Sequence, residues 1–485
     1  MHPDKPVAPS HSSAPAAPLW QWSAAELAQG IRTGLISSRE ATASCLERVA
    51  QVNPVLNAVV HVLHDSALAQ ADAADRAVAR GEALGVLHGV PVTTKVNVDQ
   101  IGCATTNGIV ALKDLIATED SPVVANLKAA GAVLFGRTNT PAFSFRWFTE
   151  NDLHGRTLNP WSRDHTPGGS SGGASSAVAS GMGPIAHGND IAGSVRYPAY
   201  CTGLVGLRPS FGRVPNFLPS ATAERPPGMS MMSVQGPLAR TVQDVRLALQ
   251  AMSSGDPRDP WWVPAPLEWP ADARPLRVAV STTMAGVAVH PEIVAAIERA
   301  AAWLSDAGYA VERVEPPDMA AAAALWPLIA DTESRATMGP LVERLGDEGI
   351  QRAYAGMTRH TPVLDTEAYF MALARRSTLI RHWNLFMQNY PLVLGPLSAE
   401  PPFAWGLDVE SFAGMDRIIA AQAPQFAVPV LGLPAVCAPM GRVNGLPVGV
   451  QLIGPRFRED LLLDAAHVLE ARQPPVRPID PCFGA

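Results

Sequence analysis

Residues Pro167–Pro198 read PGGSSGGASSAVASGMGPIAHGNDIAGSVRYP. Two glycine-rich turns, residues 168–173 and 188–194, bracket a run of small residues suited to close helix packing. Each turn carries a serine, Ser170 in the first and Ser194 in the second. Glycine and alanine let a backbone approach a ligand closely, and successive N–H groups can then converge on one point. That is the arrangement a developing oxyanion requires. A serine nucleophile also needs a base. His187 falls between the turns and has no carboxylate near it in sequence to orient it. Upstream, residues 89–98 read GVPVTTKVNV, which sets Lys95 among valines and threonines. Burial there would lower the lysine pKa and free a lone pair near neutral pH. Taken singly, each turn also fits a solvated loop, and a lone strand lysine commonly sits at a sheet edge.

The same stretch supports a second reading. Gly169 to Gly173 satisfies GxSxG, the nucleophile elbow of α/β-hydrolases, with Ser171 as nucleophile. An acid and then a histidine must follow, and His187, His290, His360, His382 and His467 all lie downstream. Pro167 just before the turn is a poor strand ending. Residues 181–186 fit GxGxxA, but Pro184 interrupts them, which argues against a dinucleotide site. No HExxH, P-loop or EF-hand pattern occurs.

Outward from this stretch the chain alternates helix and strand signals. Ser23/Glu26 and Ser37/Glu40 have capping-box spacing ahead of periodic apolar runs. Residues 65–80 predict a helix, 89–98 a strand, 122–131 a helix opened by proline, and 132–135 a buried strand. Residues 276–280 predict a strand, and 291–308 an amphipathic helix. Residues 435–441 and 448–453 predict two strands about a hairpin at 443–447, with a terminal helix over 458–472. Such alternation predicts an α/β fold. Residues 310–425 are less regular and rich in aromatics: Trp326, Tyr354, Tyr369, Phe370, Trp383, Phe386, Tyr390, Phe403 and Trp405. They predict a helical layer, part of which walls a substrate pocket.

The chain has 485 residues, of which 47% are hydrophobic and 17% charged, a composition that builds a core. A formal charge of −7 gives no reason to expect nucleic acid or an anionic membrane as partner. Cys45, Cys103, Cys201, Cys437 and Cys482 are odd in number and form no CxxC pair, which argues against a disulfide framework and against zinc. A cytoplasmic location is the expectation. Residues 1–18 are rich in proline, alanine and serine without an apolar core, and are read as a disordered lead-in rather than a secretory signal. No apolar run is long enough for a spanning helix. One domain over residues 19–485 is the simplest organisation.

Together these segments resemble the amidase signature family. The resemblance rests on GGSSGG at 168–173, DIAGSVR at 190–196, GLVGLRP at 203–209, GRVP at 212–215, GVPVTTK at 89–95 and LPVGVQLIG at 446–454. It spans about residues 22–472 and is weakest over 310–425. It implies a single α/β/α domain around a large, mixed, twisted β-sheet flanked by helices. It also implies Ser194 as nucleophile, with Ser170 between it and Lys95 and preceded by a cis peptide bond. Ile191, Ala192, Gly193 and Ser194 would supply the oxyanion N–H groups. Ser171, Asp190 and Arg196 would support them. Two positions depart from the family pattern: Asn189 stands where threonine is frequent, and Ala192 where glycine is commoner. The hole tolerates Ala192 unless that residue needs a positive φ.

The expected activity is therefore cleavage of a C–N bond in a small amide, anilide, carbamate or related substrate, with ester cleavage alongside. Neither an organic cofactor nor a metal is implied. The alternatives are the glutaminase component of a tRNA-dependent amidotransferase, the α/β-hydrolase with Ser171, and a binding protein that has kept the fold. Homodimers are common in such enzymes, and no segment marks an interface.

Overall fold

Two helices open the chain where serine caps predict them. Ser23 and Ser37 each accept the amide of the glutamate three residues on, and each glutamate reaches back to the serine amide. The computed structural model describes residues 17–270 and 275–483. The expected lead-in, residues 1–18, lies outside them except for Ala17 and Pro18.

Eleven strands among the described residues form one sheet. They are β1 (Val59–Val62), β2 (Pro91–Lys95), β3 (Val133–Thr138), β4 (Ile185–Asp190), β5 (Val205–Arg208), β6 (Val234–Ala239), β7 (Arg277–Val280), β8 (Ala310–Arg313), β9 (Leu392–Pro396), β10 (Ala435–Val443) and β11 (Leu446–Ile453). Their spatial order is β1-β3-β2-β4-β6-β5-β10-β11-β9-β7-β8. The sheet is mixed. β3, β2 and β4 run parallel, as do β8, β7 and β9, while the strands between them pair antiparallel. β2, β3, β6, β9 and β11 are buried along their whole length, so they lack the polar–apolar alternation of a half-solvated strand. Helices pack against the sheet, and one connected apolar core runs from Ala24 to Leu469. The α/β class is as expected.

The β10–β11 hairpin turns at Asn444 and Gly445, both at positive φ (51° and 83°), which suits a tight hairpin between twisted strands. Residues 310–425 depart from a purely helical layer. They hold β8 at one end and β9 near the other, and β9 sits inside the sheet between β11 and β7. All five cysteines are free thiols. No described helix is long and apolar enough to cross a membrane.

Candidate active site

Parallel pairing decides where the site lies. β2 and β4 are neighbours in register Val92–Ile185 and Thr93–Ala186. Counting on from there brings Lys95, the last residue of β2, level with residues 188–189 of β4. Both strands release their carboxyl ends on the same edge of the sheet, the edge at which open α/β folds bind ligands. The turn at 168–171 then delivers two serines to that edge before helix Gly172–Ala179 begins.

Lys95 is fully buried. Its Nζ lies 2.8 Å from Ser170 Oγ, 3.2 Å from Ser171 Oγ and 2.9 Å from Asn189 Oδ1. Burial drives its pKa well below the usual lysine value, opposed in part by the Asp190 carboxylate. A neutral amine has two N–H donors and one lone pair. Asn189 Oδ1 can only accept, so it takes one N–H; the other N–H and the lone pair are shared between the Ser170 and Ser171 hydroxyls, each of which can donate or accept. The Gly169–Ser170 peptide bond is cis, as the resemblance implies. Gly169 has no room for a side chain, because a Cβ would run into the Arg146 carbonyl.

Ser194 follows β4, in the turn before helix Arg196–Thr202. A peptide carbonyl points opposite to the amide that follows it, so whatever holds the carbonyl aims the amide. Arg208 Nη1 donates to the Asp190 carbonyl at 2.5 Å, Trp326 Nε1 to the Ile191 carbonyl at 2.8 Å, and the Tyr197 amide to the Gly193 carbonyl at 2.7 Å. These three contacts fix the amides of Ile191, Ala192 and Ser194. None of the three has an acceptor among the described residues. All three residues line a chamber of about 20 Å³ with Trp147, Trp326 and Met357.

Gly193 departs from the expected set. Its amide donates to Asp190 Oδ1 at 3.0 Å and is not free for a substrate oxygen. The positive φ in this turn falls on Gly193 (94°), not on Ala192, so alanine at 192 carries no backbone penalty.

Asp190 is the hub of the turn. Besides Gly193 it accepts the amides of Val195 and Arg196, and the Arg196 side chain at 3.0 and 2.9 Å. Burial alone would raise its pKa. Arg196, then Arg208 and the Gly193 amide, outweigh burial and hold the carboxyl well below the usual carboxylate range. Arg196 and Asp190 are both fully buried, and Arg196 Nη1 reaches Gln451 on β11 at 2.6 Å.

Ser194 Oγ has no hydrogen-bond partner among the described residues, Ser170 included. His187 is not placed as a base. Burial pushes it down to about 4, and its Nε2 pairs with Gln235 at 2.7 Å. The elbow reading of Ser171 finds no support either. No described strand runs into that turn, no histidine is bonded to Ser171, and its partner is Lys95.

Comparison with known proteins identifies the family. The amidase family model matches residues 40–463. The chain belongs to the amidase signature family. It is 49% identical to an indoleacetamide hydrolase of Bradyrhizobium diazoefficiens, over 94% of this chain and 88% of that one. It is 33% identical to a glutamyl-tRNA(Gln) amidotransferase component of Pseudomonas putida, over 92% and 96%. Among solved structures, a bacterial aryl acylamidase of the family superposes with a TM-score of 0.81 at 29% identity, covering 94% of this chain and 97% of its own. This amidase is thus a hydrolase of C–N bonds other than peptide bonds.

Sequence reasoning missed three contributors. Asn189 drew notice only as a departure from the family, yet it holds Lys95. Trp147 had no signal at all; its Nε1 donates to the Ala192 carbonyl at 3.1 Å. Trp326 was one aromatic among nine, and of those nine only it lines the chamber beside Ser194. Trp383, Phe386 and Tyr390 form a separate cluster, and Phe403 packs on Phe148 and Tyr197. The aromatics of 310–425 are therefore not one pocket wall.

Proposed function

We propose that this amidase hydrolyses the primary amide of an arylacetic acid, of the indole-3-acetamide kind, through a Ser194 acyl-enzyme. The observation that supports the mechanism is the buried Lys95 amine, its pKa lowered by desolvation and its Nζ 2.8 Å from Ser170 Oγ. Lys95 takes the Ser170 proton as Ser170 takes the Ser194 proton, and Ser194 Oγ attacks the amide carbon. The relay needs Ser194 and Ser170 to close on one another when substrate arrives, a tightening common in hydrolases. The amides of Ile191, Ala192 and Ser194 receive the oxyanion, three donors rather than the four expected from sequence. The proton returns through Ser170 to the leaving nitrogen, ammonia departs, and water repeats the path on the acyl-enzyme. Esters should enter the same route, since their leaving groups need less help.

Identity to an indoleacetamide hydrolase across nearly the whole chain supports the aryl amide. The glutaminase reading has the weaker likeness, at 33%. Purified protein should release ammonia from indole-3-acetamide and not from free glutamine; the reverse would restore the amidotransferase reading. Intact mass after a fluorophosphonate probe tests the nucleophile. One adduct, lost in Ser194→Ala and kept in Ser171→Ala, is expected. Loss in Ser171→Ala alone would overturn the assignment.

A further inference from the structure

The chamber beside Ser194 has room for about one water, so an aryl group bound to this enzyme must sit beyond it. Trp147, Trp326 and Met357 also border a second cavity of about 640 Å³, within the usual size of a ligand pocket. Its walls are mostly apolar, with Asp331, His360, Thr361 and Asp416 as the polar residues among them. Ala320, Ala323, Ala324 and Pro327 form one stripe of helix Met319–Thr337, and Ile419, Ala423 and Phe426 face it from helix Phe412–Leu431. Phe426 stacks on Trp326 with ring centroids 5.0 Å apart.

Asp331 continues the alanine stripe at helical spacing and lines the same cavity. It is 1% exposed, and its Oδ2 has no hydrogen-bond partner. The charged groups around it are committed elsewhere. Arg335 donates to the carbonyls of Thr358 and Thr361, while Arg359 and His360 both pair with Asp416. Burial raises the Asp331 carboxyl to about 6, against a hydrogen bond from the Thr361 side chain and the Arg335 charge; above that pH the carboxylate is charged and its Oδ2 still has no donor. Leaving such a group unsatisfied is costly, and a ligand that brings a donor recovers part of the cost. Asp331 lies five residues beyond Trp326, about 7.5 Å along the helix axis, a span comparable to a fused two-ring aryl group.

We propose that Asp331 is a specificity determinant of this amidase: it accepts a hydrogen bond from an N–H, amino or hydroxyl group at the far end of an aryl amide. The proposal rests on the aryl-amide reading above. It predicts discrimination between ligands of one shape that differ only in that donor, because a site built for a donor rejects the analogue lacking it.

Calorimetric titration in the Ser194→Ala background separates this from turnover. The two ligands are indole-3-acetamide and benzothiophene-3-acetamide, in which sulfur replaces the ring N–H. Tighter binding of the indole by about tenfold or more is expected. Asp331→Leu should bring the two affinities together, and Asp331→Asn, which keeps an acceptor and the shape, should retain part of the preference. Equal affinities with Asp331 intact, a preference that survives Asp331→Leu, or no binding of either ligand would each overturn the proposal. If the leucine variant does not fold, the isosteric asparagine variant carries the test through its reduced ratio. Hydrolysis of the two amides by the unaltered enzyme tests the parent reading separately. Turnover without discrimination would overturn the Asp331 role alone; discrimination without turnover would overturn the aryl-amide hydrolase alone.

Discussion

Lys95, the proposed base, owes its lowered pKa to its place at the buried end of a strand. Nothing in its covalent chemistry differs from a surface lysine; desolvation alone disfavours the ammonium. The folded pKa lies below the unfolded value, so between the two the unfolded chain binds more protons and stability rises with pH. Denaturant titrations across neutral to alkaline pH should show the unaltered protein gaining stability relative to Lys95→Met as pH rises through that window. A parallel pair of curves would mean the amine is charged in the fold. The same shift sets the rate profile. kcat/KM should climb with pH as Lys95 loses its proton, and a maximum below pH 6 would exclude a neutral-lysine base. Lys95→Ala should lose at least about a thousandfold in kcat, with little further loss on adding Ser170→Ala, since residues that act as a unit are non-additive. The lysine and both serines were legible because short local motifs carry them. Asn189 was not, because its contact with Lys95 depends on the β2–β4 register, which joins residues 94 apart in sequence.

The turn from Asp190 to Arg196 is held rigid by charge on one side and by indoles on the other. Asp190 and Arg196 are fully buried, so neutralising one strands the other; Asp190→Asn should cost about 3–5 kcal/mol. Because the folded carboxyl titrates below its unfolded value, this contribution is present at neutral pH and is lost as pH falls through the carboxylate range toward the folded pKa. Acid unfolding of the unaltered protein should therefore be steeper than that of Asp190→Asn. On the other side, Trp326→Phe keeps the stack on Phe426 and removes only the N–H that holds the Ile191 carbonyl. The Ala192 amide then loses its aim. A fall in kcat of about tenfold is expected, short of the loss from deleting an oxyanion donor outright, with KM little changed. A change in KM alone would make Trp326 a substrate contact rather than a positioning residue. Sequence pattern located this turn but could not apportion its amides. Which N–H groups are free depends on the local Asp190 carboxylate, and where they point depends on Arg208 and Trp326 from distant segments; no spacing rule carries that information.

At the scale of the whole molecule, the two parallel strand groups are joined by antiparallel strands whose hairpin, β10–β11, comes from the end of the chain. Helix and strand alternation revealed the α/β class, but β8 and β9 were hidden in a segment read as helical. Short apolar runs such as Leu392–Pro396 have no period that separates a buried strand from a helix. The long connection between β8 and β9 supplies one wall of the outer cavity and helix Phe412–Leu431 the facing one, while the C-terminal hairpin reaches back to the Ser194 turn. Gln451 on β11 accepts from Arg196 at 2.6 Å, and both residues are fully buried. The carboxyl-terminal half of the sheet therefore helps set the angle of the guanidinium that grips Asp190, and through it the Ser194 turn. Gln451→Leu has a similar volume but leaves Arg196 Nη1 without this acceptor, a loss of about 1–3 kcal/mol in denaturant unfolding. If the two halves are coupled as the geometry indicates, the rate at which Ser194 takes a fluorophosphonate should fall at a temperature where the variant is fully folded. A lower unfolding midpoint with an unchanged labelling rate would mean that Gln451 stabilises the sheet without reaching Ser194.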